Sequence, residues 1–407
     1  MSASLCRMTD PVHAHERRTP WSSSASVLAG LAVILAGCTT ADNDATEDPD
    51  VPHTTLSVDH YIGGGGGGDA EPEHEFGAIS GVTLLDNGRI AVVDRMNHLV
   101  RVHERDGTLA FSFGRNGAGP GEFDGPCCPA VGPGGRLWVR DGGNARYTAF
   151  ATHADRADHA GQIRMSHQDV NRWAPLTFDD DGRLIDIGAR SEPQSGMIRV
   201  YRMHVDSAGG VLSETPLHTV PDDSTSVRKV RRDSPGGTTT LFGYQPYGPV
   251  ELTAHSPKRA EFAHALSRRY AVEWRAADGA LIRAITRNIP HGPALSARED
   301  SVGGARLDQL AVRFDMPRRQ LGFDVPARKP PLRSLFFDSD GRLWVELAVG
   351  DGEDRRADVY DSDGTLLRTV SWPAAISLSD GAVRGTDAWG VATDALGVMS
   401  LVRLTGL

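Results

Sequence analysis

Lysine is nearly missing from this chain of 407 residues: Lys229, Lys258 and Lys329 are its only three, and arginine supplies the rest of the 43 basic side chains. That bias reads as a GC-rich coding sequence before any special arginine chemistry. Basic residues also fall short of the 53 acidic ones, for a formal net charge of -10. Nucleic acid needs a basic footprint, so it is excluded as a partner, and the acidic balance serves solubility. Cysteine is scarce, with Cys6, Cys38, Cys127 and Cys128 alone, which excludes a multi-disulfide scaffold. No apolar run reaches the roughly 20 residues of a membrane span. Sustained 3.6-residue patterning, which would mark helical repeats, is absent. So are the Gly-x-Ser-x-Gly, P-loop and His-Glu-x-x-His motifs.

The N-terminus reads as an address. Arg17 and Arg18 precede the apolar run from Val27 to Ala36, which is followed by Gly37 and Cys38. A positive start, a short apolar core and small residues at its end describe an export signal. Leu35-Ala36-Gly37-Cys38 resembles a bacterial lipobox, which implies that residues 1–37 are removed and Cys38 is lipidated. Residues 38–53 are acidic and without apolar periodicity, so they are expected to be a disordered tether. The expected partner of this end is a membrane. Thr39 after the cysteine favours the outer membrane, by the habit of that protein class.

The body of the chain, 54–407, repeats. Gly88-Arg89-Ile90-Ala91-Val92 returns as Gly135-Arg136-Leu137-Trp138-Val139 and as Gly182-Arg183-Leu184-Ile185, at an even spacing of 47. A fourth copy is Gly341-Arg342-Leu343-Trp344-Val345. Turn formers such as Asp86-Asn87 and Ser339-Asp340 precede these glycines, the strongest short-range hairpin signal. Asp106-Gly107, Asp278-Gly279 and Asp363-Gly364 mark second hairpins half a period later. Two hairpins per period of 40 to 50 residues predict four-stranded antiparallel blades.

The fold class expected is therefore all-β, a six-bladed β-propeller with one small helical insertion at about 294–325. Blades are expected near 77–125, 126–170, 171–215, 243–291, 330–372 and 373–407. A seventh is admitted only if the polar stretch 216–242, read here as a loop, holds strands. The alternating segment 54–62 is expected to complete the last blade and close the ring. Within the insertion, Val302, Leu307, Leu310 and Val312 are expected to form one apolar face. Gly63 to Gly68 reads as a mobile loop.

Asp94 to Val102, with Asn97-His98-Leu99 at its centre, followed by Phe113-Gly114-Arg115-Asn116-Gly117 and Gly121-Glu122-Phe123, resembles an NHL repeat. The body is similar to six-bladed bacterial lipoproteins of that class.

The hairpins occupy one end of the blades, so the second-to-third strand loops and the crossovers between blades share the other. Loops on a rigid scaffold carry function, and the crossover face is where a propeller ligand is expected. Candidate ligand contacts there are Arg95, Arg140, Asp141, Asn144, Arg172, Trp173, Tyr244, Arg333 and Glu346, a mix suited to a protein, peptide or glycan. Asp94 and Asp141 share one offset from their hairpin glycines and read as caps of their own loops, with Asn97 and Asn144 beside them. Cys127-Cys128 can close a vicinal disulfide. No catalytic residue, metal site or cofactor is indicated by the residues themselves.

The leading reading is a membrane-tethered, extracytoplasmic binding or scaffold lipoprotein, more a binder than an enzyme. The alternative is a channel-mouth hydrolase or lyase of the gluconolactonase or amidating-lyase kind. That resemblance admits calcium, with Glu346, Asn97, Asn144 and Asp141 as the ring that would hold it.

Overall fold

The computed structural model describes residues 51–64, 75–165, 176–179, 181–192, 197–221, 227–234, 237–259 and 261–407. The export signal, Cys38, most of the tether, the later glycines of the Gly63–Gly68 run, Arg172 and Trp173 lie outside them.

The chain forms a six-bladed β-propeller of four-stranded antiparallel blades. In blade 1 the strands a to d are Ile79–Leu84, Ile90–Asp94, Leu99–His103 and Leu109–Phe113. Blade 2 runs from Pro126 to Arg164, blade 3 from Thr177 to Pro221, blade 4 from Glu251 to Thr286 and blade 5 from Leu332 to Trp372. The turn glycines do what their spacing promised. Gly88, Gly182 and Gly341 have φ of 84, 77 and 84°, a region closed to most side chains.

The last blade is built from both ends of the described chain. Its strand b is Asp387–Thr393, its strand c Met399–Thr405, and its outer strand Ser57–Ile62, antiparallel to c with Tyr61 opposite Val402. Just upstream, His53–Thr55 lies parallel to Leu366–Trp372 as a fifth strand on blade 5. One short segment thus covers two sheet edges, each of which would otherwise present unpaired backbone groups. Strand a of this blade is broken into Ile376–Ser377 and Val383–Arg384, and both pieces pair with strand b.

The core lies between blades. Trp344 and Trp372 pack with Leu56 and Val402 between blades 5 and 6. Trp274 meets Phe337 edge-on at 5.1 Å between blades 4 and 5. Trp138 contacts Phe178 at 5.5 Å between blades 2 and 3. Aromatic side chains fill these wedges because each removes 150–250 Å² from water.

The stretch 216–242 is not a loop. Strand d of blade 3 continues to Pro221, and Val227–Ser234 pairs with Gly237–Tyr244 as a separate two-stranded hairpin. It is not a seventh blade, because it has two strands and packs elsewhere. Val230 and Leu241 lie against helix α1, Ala297–Phe314, in a satellite core with Leu307, Phe314 and Leu321. The polar composition concealed these strands.

The helix falls inside the expected insertion and starts at a capping box between Ser296 and Glu299, which satisfies two orphan amides. Its apolar face differs from the expected one. Gly303, Leu307 and Phe314 are buried, Leu310 is partly buried, and Val302 and Val312 are exposed. Positions 303, 307, 310 and 314 follow the 3.6-residue turn, which 302 and 312 leave.

Candidate functional site

In blade 1, Asp94 sits fully buried at the end of strand b. Its oxygens accept the amides of Gly77 and Ala78 at 3.1 Å, the amide and side chain of Asn97, and the Arg101 guanidinium at 2.6 Å. Burial alone would push this carboxyl up. Arg101 and the hydrogen bonds outweigh it and hold the carboxyl below its ordinary value.

Blade 2 repeats the device. Asp141 accepts the Asp124 amide at 2.7 Å, Asn144 Nδ2 at 2.7 Å and Arg146 Nε at 3.0 Å. Arg146 then donates to the carbonyls of Ala118, Gly119 and Glu122. In these two blades the Asp, Asn and Arg therefore clamp the crossover that enters the blade to its b–c turn.

Arg140 and Glu346 are withdrawn from the surface as well. Arg140 is fully buried and pairs with Asp186 of blade 3, which also accepts the hydroxyl of Tyr147. Burial, and then the Asp186 charge, push the Tyr147 phenol far up. Glu346, 2% exposed, accepts Ser334 Oγ at 2.5 Å and the guanidinium groups of Arg333 at 3.1 Å and Arg355 at 3.3 Å.

Cys127 and Cys128 are joined to each other. Cys128 has a φ of 58°, and the strand bulges between Cys127 and Ala130. The Cys128 sulfur receives Arg140 at 3.4 Å. The pair is buried and belongs to the seam between blades 2 and 3.

Arg95, Tyr244 and Arg333 remain exposed. Arg95 leans toward Gly125 of the next crossover. Arg333 stands at the entry of strand a in blade 5. Tyr244 ends the satellite hairpin and is 58% exposed.

No family model matches the chain, and no curated protein matches it. Solved structures do resemble it. A putative exported protein from Bacteroides fragilis aligns with a TM-score of 0.46 and 10% identity, over 86% of this chain and 95% of its own. A gluconolactonase from Xanthomonas campestris aligns at 0.40 and 15%, over 87% and 98%. A virginiamycin B lyase from Staphylococcus aureus aligns at 0.40 and 11%, over 81% and 95%.

The calcium ring admitted by the earlier resemblance finds no fit here. Asp141 is engaged by an amide, an amide side chain and a guanidinium, and Glu346 by two guanidinium groups. Among the described residues, no group of three or more His, Cys, Asp or Glu side chains could hold a metal ion.

The opposite, hairpin end of the channel holds what the sequence reading missed. A cavity of about 170 Å³ is lined there by residues of all six blades, among them Thr83, Thr177, His255, Ser339 and Asp380. His255 is 4% exposed, and neither ring nitrogen has a hydrogen-bond partner. Burial first, and the Arg202 charge second, push its pKa down to about 3, so the imidazole is neutral. Burial pushes Asp380 up to about 7, against the pull of the Phe337 amide on Oδ1 at 3.1 Å. Neither residue belongs to a repeating motif. Asp380 sits where strand a of blade 6 breaks, and no local pattern announced that break.

Proposed function

We propose that this chain is an extracytoplasmic binding module, tethered to the outer membrane through a lipidated Cys38, which presents a rigid crossover face to an acidic peptide or glycan. The observation that carries the reading is the commitment of the crossover-face carboxylates. Asp94, Asp141 and Glu346 each hold an arginine, and the two aspartates also hold backbone amides. A general acid or base needs a proton-transfer path to substrate, and these groups spend their lone pairs on the scaffold.

What the face offers outward is Arg95, Met96 at 68% exposure and Arg333, whose guanidinium Glu346 holds. Arginine is a usual anchor of a binding surface, and its guanidinium suits an anionic partner. Arg140, Asp141, Asn144 and Glu346 support that surface from beneath. An exported protein among the similar structures is consistent with placement outside the cytoplasm.

The test pairs binding with turnover. Immobilised acidic peptides and glycans are expected to retain the protein, and Arg95→Ala with Arg333→Ala is expected to weaken retention by roughly tenfold or more. Lactone substrates are expected to remain intact with calcium or with a chelator. Calcium-dependent turnover would replace this reading with the hydrolase one. Cys38→Ala is expected to release the protein from the membrane fraction.

A further inference from the structure

Charge is divided unevenly between the propeller and the satellite formed by the hairpin and helix α1. Residues 227–245 and 294–329 hold eleven basic residues against six acidic ones, in a chain whose formal net charge is -10. The helix sorts its charges by face. Its inward stripe is Gly303, Leu307, Leu310 and Phe314. One position behind that stripe run Arg298, Val302, Arg306, Gln309 and Arg313, and one position ahead run Asp300, Gly304, Asp308 and Ala311. One residue is a rotation of about 100°, so the arginines and aspartates of the helix lie on opposite flanks of its inward face. Val312, 82% exposed, stands with Ser301 and Ala305 at the pole away from the core.

The cations are not spent alike. Arg298 pairs with Asp351, Arg318 with Asp308 and Lys329 with Glu299. Arg228, Arg306, Arg313 and Arg319 are exposed, and among the described residues no carboxylate pairs with them. Arg306 and Arg313 lie over the rings of Tyr247 and Phe314 at 5.8 and 6.0 Å. A ring carries no net charge, so both guanidinium groups keep their full positive charge. Arg228 stands near the end of the helix, because Gly243, opposite it in the hairpin, lies against Leu310 and Phe314. A cation in the last turn answers the helix dipole. That accounts for Arg313, but not for Arg306 in mid-helix or Arg228 on the hairpin.

We propose that the basic side of the satellite docks on an anionic phospholipid surface, with Arg228, Arg306 and Arg313 at the headgroup phosphates and Val312 at the acyl boundary. A helix that lies in a membrane interface sets cations beside an uncharged sector, and α1 has both. A soluble acidic polymer would use the arginines and leave Val312 in water. The inference rests on the membrane tether proposed above, which supplies the surface. Tether and satellite are joined to the same blade. His53–Thr55 lies along Leu366–Trp372 of blade 5, while Ser296 Oγ and Lys329 Nζ donate to Asp351 Oδ2 and Val349 O of that blade at 2.8 and 2.7 Å. His53 comes fifteen residues after Cys38, so a bilayer holding Cys38 lies no farther than about 50 Å from that edge. Docking through the satellite gives the propeller a fixed orientation on the membrane, which a tether alone cannot do.

The experiment is co-sedimentation of residues 39–407, which keep the whole described fold and carry no lipid, with vesicles of phosphatidylcholine alone or mixed with phosphatidylglycerol. Binding to the mixed vesicles only is expected, and it should fall as salt rises. Arg306→Ala with Arg313→Ala is expected to weaken it roughly thirtyfold, and Val312→Gln by a smaller factor. All three side chains are exposed, so these variants are expected to fold, with urea midpoints as the check. Arg156→Ala, at an exposed arginine of blade 2, should leave binding unchanged. Failure to bind the mixed vesicles, equal binding to both kinds, or binding indifferent to the double variant would overturn the proposal. So would capture on immobilised polyglutamate with none on vesicles, which would make the partner an acidic protein. The chain used here lacks Cys38, so its vesicle binding stands or falls apart from the anchor, which membrane fractionation of the Cys38 variant tests separately.

Discussion

Arg101 donates to the buried carboxylate of Asp94 across 2.6 Å, and the same side chain reaches Glu75 O at 2.8 Å. One arginine thus fixes both the b–c turn of blade 1 and the chain that enters it. Removing one member of a buried pair leaves an uncompensated charge, which costs about 3–5 kcal/mol. Arg101→Ala is expected to lower stability by that order in urea unfolding. Arg146→Ala in blade 2 should behave alike, because Arg146 also holds three crossover carbonyls. A loss under about 1 kcal/mol in both would show that the clamp is not structural.

Stability is expected to depend on pH through the two cavity groups, in opposite senses. His255 has a folded pKa of about 3 against an ordinary value near 6.5. The unfolded chain therefore takes the proton first, and stability falls as pH drops from about 6.5 toward 3. Asp380 has a folded pKa of about 7 against an ordinary value near 3.9. Its protonated form stabilises the fold fully below about 3.9, and that contribution is lost as pH rises through 7. Asp380→Asn is expected to flatten urea midpoints between pH 4 and 7, and His255→Gln to flatten them below 6. Unchanged slopes in both variants would contradict the buried assignment.

The general architecture was legible in the sequence because the signals were local. Gly88, Gly135, Gly182 and Gly341 punctuate hairpins that neighbouring residues decide, so even spacing translated directly into blades. The alternation of 54–62 also sufficed to place the closing strand. What escaped was set at long range. The hairpin at 227–244 is stabilised by Leu307 and Phe314, which no local reading of its polar composition could supply. The site was legible only as a face. Whether Arg140 is surface or interior depends on Asp186, 46 residues away in the next blade. His255 and Asp380 share a cavity only because the ring brings blades 4 and 6 around one axis.

The vicinal disulfide closes a loop too short to restrict the unfolded chain greatly. Chain-entropy reasoning gives about 1 kcal/mol for so small a ring. Replacing both Cys127 and Cys128 with alanine is expected to cost that order plus some packing in the seam between blades 2 and 3. Thermal melts with and without a reductant, on the parent and on the double variant, separate the two contributions. A melting point indifferent to reductant in the parent would remove the disulfide from the stability account.

Removing residues 1–62 is expected to do much more harm. Leu56 at 2% and Ile62 at 8% exposure are buried in the seams beside blade 6, and each buried aliphatic side chain contributes about 1.5–3 kcal/mol. The deletion also bares the outer edge of Met399–Thr405, a template for pairing with another molecule. Lower melting temperature together with larger particles in light scattering is the expected result. A monomer of unchanged melting temperature would show that closure is dispensable.

The closing strand also sets an order of events in time. Ser57–Ile62 is synthesised long before its partner Met399–Thr405. The circle cannot close before that partner has been made, and the early strand must wait unpaired until then. Contacts so distant along the polypeptide slow folding. Closing the ring is therefore a meeting of two strands made far apart in time, and any helper that shields the waiting strand would act on residues 57–62.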